Sequence, residues 1–85
     1  MKFTVKEDGK NGTIEAAANG LTRTTKKLVG RDNTTFINYS RIDHVTHISK
    51  MVGSDIAEVS VGGTVYAWKC ANAAELVDLI NGNMT

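Results

Sequence analysis

Four cations, Arg23, Lys26, Lys27 and Arg31, fall within nine residues that contain no acid. Cations and N–H donors that converge on one point hold phosphates and carboxylates. On a strand, alternation sends Arg23 and Lys27 to one side and Lys26 to the other. The group therefore has two readings. It is a surface for an anion or acidic partner, or it is a solvated strand whose lysines block edge-to-edge aggregation. His44 and His47 form a second set. Residues three apart on a strand point to opposite faces, so the two imidazoles cannot share a metal without a bulge. Asp43, His47 and Cys70 remain as a minor zinc reading, against ordinary surface imidazoles. Cys70 stands two residues ahead of a helix cap, where a thiol can be activated. It also shares a face with Tyr66 and Trp68, where a small apolar thiol packs well. No Gly-x-Ser-x-Gly, Ser-x-x-Lys or Gly-x-x-x-x-Gly-Lys element occurs. No acid, base and nucleophile constellation is readable, so the expectation is a non-enzymatic protein without a cofactor. Phe36, Tyr39, Tyr66 and Trp68 could stack bases. The chain has only five aromatics, and its core needs them, which argues against nucleic acid.

The elements that must position these residues follow from length and pattern. Eighty-five residues make one domain (1–85). A composition of 41% hydrophobic and 22% charged residues is too apolar for disorder and too polar for a membrane span. The N-terminal residues contain no apolar stretch of the roughly 7–15 residues found in secretory signals. A single cysteine forms no internal disulfide, so a cytoplasmic location is expected. A chain this short buries only about 60–65% of its unfolded surface, which makes self-association a second expectation. Ten threonines and eight valines, punctuated by Gly and Asn, indicate short antiparallel strands.

The expected strands are Phe3–Glu7, Gly12–Ala17, Leu21–Leu28, Thr34–Tyr39, His44–Lys50, Ile56–Val61 and Thr64–Cys70. Asn19-Gly20 and Gly62-Gly63 read as hairpin turns, because both pairs tolerate positive φ. Ala57, Val59 and Val61 alternate with Glu58 and Ser60, which puts one face on a core. Tyr66, Trp68 and Cys70 share a face, with Val65 and Ala67 opposite, and this strand is expected to be covered on both sides. Ile42, apolar in a polar connection, is expected to turn inward. A helix is predicted from Asn72 onward. Asn72 is its N-cap, Glu75 completes a capping-box-like pair, and Gly82 supplies the C-terminal stop. Ala73, Leu76, Val77 and Ile80 form its apolar stripe, which must bury on the sheet. The fold class is therefore mainly β (α+β): a strongly bent antiparallel sheet, or partly open barrel, of about seven strands capped by one C-terminal helix.

Three segments carry a resemblance: Asn11-Gly12-Thr13-Ile14-Glu15 with Leu21-Thr22-Arg23, then the stretch from Thr34 to Val45, then Asn72 to Ile80. Ile37, Ile42 and Val45 match a central pattern of an apolar residue, a small turn, then Ile, two residues, Val. The chain resembles the bacterial pleckstrin-homology-like domains over residues 11–81. Asn38 stands where relatives often carry proline, and the loop Met51–Asp55 is short. The resemblance implies binding or scaffolding, and no catalysis. Pleckstrin-homology domains that bind phosphoinositides use a Lys/Arg-x-Arg element, which Arg23-Thr24-Thr25 lacks.

Charge is unevenly placed. Residues 1–50 carry nine Lys/Arg against five acids, leaving +4; residues 51–85 carry Lys69 against four acids, leaving −3. Such asymmetry marks an interaction face, but the basic excess is below that of a dedicated nucleic-acid binder. The expected function is a binding module that acts through protein–protein contacts. It would use a sheet edge, the cations Arg23, Lys26, Lys27 and Arg31, and self-association. The alternative is a peripheral binder of anionic phospholipid head groups.

Overall fold

Asp8 and Gly9 make a two-residue turn. Both take positive φ, 51° and 78°, in the computed structural model, which describes residues 1–27 and 29–84. These two residues join β1 (Lys2–Glu7) to β2 (Lys10–Ala16) in register, with Glu7 opposite Lys10. An Asp-Gly pair adopts the mirror-image turn whose twist matches that of the flanking strands. Asn19-Gly20, expected to do this, does not: neither residue has positive φ. Gly20 instead opens β3 (Gly20–Thr25) and is needed for close approach to β4 (Asn33–Asn38). A Cβ there would lie 2.8 Å from Phe36 Cζ and 2.9 Å from Asn38 Cα. Gly20→Ala is therefore expected to cost about 1–3 kcal/mol through overpacking. A urea midpoint unchanged from wild type would show that β4 shifts freely.

After β4 a single 3-10 turn, η1 (Tyr39–Arg41), carries the chain into β5 (Ile42–Ile48). Asn38 caps this turn by accepting from the Ser40 N–H at 3.0 Å. Tyr39 is buried, and its hydroxyl donates to the Ala17 carbonyl at 2.9 Å. Ile42 turns inward as expected, at 6% exposure. β6 (Ile56–Val61) and β7 (Thr64–Lys69) form the Gly62-Gly63 hairpin, with φ of 54° and 88° at the turn.

The sheet order is β4-β3-β2-β1-β7-β6-β5, antiparallel throughout. The seven strands make one bent, unclosed sheet whose free edges are β4 and β5. The β1–β7 junction rests on a single paired position, Lys6 opposite Lys69. Most strand ends agree with expectation to within two residues, but the third strand ends three residues early. The third strand stops at Thr25, so Lys26 and Lys27 lie beyond it, and Leu28 lies outside the described residues. β7 is covered on one side only: Trp68 is fully buried, whereas Val65 is 58% exposed and Ala67 is exposed.

The helix α1 (Ala73–Asn83) buries Ala73, Leu76, Val77 and Ile80, the stripe read from the sequence, against β5 and β6. Its ends depart from the prediction. Asn72 makes no side-chain cap bond; its backbone carbonyl accepts from Leu76 at 3.0 Å. Gly82 lies within the helix, and Met84 ends it in right-handed geometry. The stripe, not the caps, specifies this helix, as expected where tertiary burial dominates short helices. One core results, with Trp68, Ile14, Leu21, Leu76, Ile80 and Val59 fully enclosed.

Candidate functional site

On β3, Leu21, Arg23 and Thr25 share the concave face of the sheet. Leu21 and Thr25 are buried and Arg23 is half-buried. Arg23 sits at the end of the apolar core, and its guanidinium meets the carboxylate of Glu7 from β1. Nε donates to Oε1 at 2.6 Å, and Nη2 pairs with Oε2. Trp68 Nε1 donates to the same Oε1 at 2.7 Å, which spans the weak β1–β7 junction. The guanidinium also lies 4.9 Å from the ring centre of Tyr66, which stacks on Trp68 at 5.8 Å, a favourable cation–π placement. Nη1 reaches Thr35 Oγ1 at 3.4 Å. The side chains of Arg23 and Glu7 are only 15% and 12% exposed. The Arg23 hydrogen bond holds the Glu7 carboxyl below its ordinary range, opposed by burial and helped by Trp68. Glu7 in turn holds the Arg23 guanidinium above its ordinary value. Arg23 is thus committed within the fold and separated from the other three cations.

Lys26 and Lys27 lie just past β3. Asp32 organises their connection: its Oδ1 accepts from the Lys27 N–H at 3.3 Å and its Oδ2 from Lys26 Nζ at 3.2 Å. Those bonds, Lys26 first, keep the Asp32 carboxyl below its usual value. The Lys26 N–H donates to the Asn11 carbonyl at 2.8 Å, so the connection is fastened to the start of β2. Between them lies a groove of about 570 Å³ lined by Gly9, Lys10, Asn11, Lys26, Lys27 and Val29. Three lysines and no acid are among its lining residues, and Asp32 pairs with Lys26 from outside that lining. Such a concavity attracts a carboxylate or phosphate, with affinity that weakens as salt rises. Arg31 is exposed nearby in sequence but does not line the groove.

Lys10 was not among the cations selected from the sequence. The signal was present: recognising Asp8-Gly9 as a two-residue turn places Lys10 opposite Glu7, at the tip of the hairpin.

The remaining candidates are used locally. Asp43 Oδ2 accepts from the Gly62 N–H at 2.9 Å and steadies the second hairpin. His47 Nε2 lies 2.8 Å from Asp55 Oδ2, while Asp55 Oδ1 accepts from the Lys50 N–H at 3.0 Å. Cys70 is buried in the core, and burial pushes its thiol above the ordinary value. Asp43, His47 and Cys70 are not brought together; among the described residues no cluster of three or more such side chains is placed to hold a metal. Of the proposed stacking aromatics, Tyr39 and Trp68 are buried and Tyr66 is half-buried; Phe36, at 53% exposure, is available. No helix among the described residues is long and apolar enough to cross a membrane. No family model, curated protein or solved structure matches this chain.

Proposed function

We propose that the chain is a non-enzymatic binding module of the cytoplasm that takes an acidic segment of a protein partner. The observation that carries this reading is the groove beside the β1–β2 turn, whose lining includes Lys10, Lys26 and Lys27 and no acid, with Asp32 outside the lining paired to Lys26. The free edge of β4 supports it. That strand begins at Asn33, directly after the basic connection, so an extended segment anchored at the lysines can continue along the unpaired main chain. Strand addition of this kind draws affinity from main-chain groups and needs no special side chains. It fits a sequence without a readable catalytic constellation. Self-association would use the same edge. Kinship with the bacterial pleckstrin-homology-like domains belongs to this proposal and agrees with the bent sheet and its C-terminal helix.

One observation favours the phospholipid reading. Val29 is 87% exposed beside the lysines, and an apolar side chain among cations suits a membrane surface. Titration of the labelled chain with an oligoglutamate peptide, and separately with phosphatidylserine vesicles, distinguishes the two. The peptide is expected to shift the amides of Gly9, Lys10, Asn11, Lys26 and Lys27 at low salt. Lys26→Ser with Lys27→Ser is expected to weaken peptide binding about 5- to 20-fold, since each exposed ion pair contributes a few tenths to about 1 kcal/mol. Equal binding by wild type and the double variant would reduce these lysines to a solvated face. Binding to vesicles without binding to the peptide would favour the lipid reading.

A further inference from the structure

Lys6 and Lys69 face each other across the β1–β7 junction, the sole paired position there. Like charges directly opposite in an antiparallel pair are destabilising. Among the described residues, neither ammonium has a carboxylate within ion-pair distance. The two lysines line a second depression of about 250 Å³ with Asp8, Gly9, Ile56 and Ala67. Gly9 lines both this depression and the basic groove. The Asp8-Gly9 turn is therefore a ridge with Lys10, Lys26 and Lys27 on one flank and Lys6 and Lys69 on the other.

We infer that this ridge is a saddle for a single acidic peptide that crosses the turn and places anionic side chains in both depressions. The inference rests on the acidic-segment reading and extends it to the form of the partner. Two features select a peptide over a compact anion. The cations are divided between two depressions, so one phosphate or one head group engages only one set. The floors are also mixed: Val29 beside the first set, Ile56 and Ala67 beside the second. A peptide that interleaves Glu or Asp with aliphatic residues matches cations and apolar surface together. Asp8 contributes the one carboxylate among the lining residues of either depression, and its charge opposes the incoming acid.

Two dye-labelled probes test this by fluorescence anisotropy. Each is built from Glu with interspersed Leu. One has about ten residues, with an extended reach of about 33 Å, and the other about four, with a reach of about 13 Å. Lys6→Gln with Lys69→Gln is expected to weaken the long probe about 3- to 10-fold and leave the short probe unchanged. Asp8→Asn is expected to tighten the long probe about two-fold. Lys26→Ser with Lys27→Ser is expected to weaken both probes. The Gln pair relieves a like-charge contact, so its melting midpoint should match or exceed that of wild type, and any loss of binding is not a loss of fold. If the Gln pair binds the long probe as wild type does while the Ser pair loses both probes, the saddle is refuted and the groove stands. If the Ser pair loses neither probe, the groove reading itself fails. If phosphatidylserine vesicles bind in a Lys6- and Lys69-dependent way and the long probe does not, the saddle serves a membrane and the peptide inference is overturned.

Discussion

Leu76→Ala is expected to remove about 2–4 kcal/mol of stability, from loss of buried methyl groups together with the cavity they leave. Leu76 is fully enclosed and belongs to the same cluster as Trp68, Val59 and Ile80. The total stability of a domain this size is about 4–13 kcal/mol, so this one side chain decides a large share of it. The melting midpoint should fall by about 10–25 °C. Urea denaturation should show a lower midpoint with an unchanged slope. Glu75→Ala, on the exposed side of the same helix, is the control and should move the midpoint little. A Leu76→Ala midpoint equal to that of wild type would mean that the helix does not dock on β5 and β6.

Glu7→Ala is the second large effect. It leaves the Arg23 guanidinium half-buried without its carboxylate and the Trp68 indole N–H without its acceptor. Breaking a buried ion pair from one side costs about 3–5 kcal/mol. The slight exposure of this pair brings the expected loss to about 2–4 kcal/mol. Replacing both partners, Glu7→Leu with Arg23→Met, should recover part of that loss, because no charge is then stranded. Indole fluorescence reports the change directly, since Trp68 is the only tryptophan. The pH dependence has a defined sign. The folded Glu7 carboxyl titrates below its unfolded value, so its contribution is fully present above the unfolded value near pH 4.5. It is lost as pH falls through the depressed folded value. Glu7→Gln should therefore flatten the acid limb of the stability curve. Wild-type and Gln curves of equal steepness below pH 4.5 would refute the coupling.

The apolar framework was legible because its signals are periodic. The core face of Ala57 and Val59 and the stripe of Ala73, Leu76, Val77 and Ile80 each depend on a single repeat and hold in the structure, although Ser60, expected on the solvent face, is also buried. Glycine turns were legible only in part. Gly62-Gly63 turns as expected, but Asn19-Gly20 does not, and the two-residue turn at Asp8-Gly9 is not among the expected hairpins. A dipeptide's tolerance of positive φ does not tell a turn from a strand position where Cβ has no room. Helix caps were over-read, since a residue of the right type need not make the bond when burial already fixes the helix. At the candidate site, Lys26 and Lys27 were found from charge density. Arg23 was grouped with them because its partner lies sixteen positions away on another strand. Lys10 escapes a reading by charge density because the second strand is expected to begin only at Gly12, whereas β2 begins at Lys10.

The single-position junction between β1 and β7 governs the order of assembly. Every other neighbouring pair of strands is also consecutive in the chain. Those pairs zip across short connections on microsecond timescales. The Glu7–Trp68 bond instead closes a loop of 61 residues, an entropic cost met only when both meanders already exist. Closing this junction is therefore the step with the largest loop-closure cost in the assembly of the sheet.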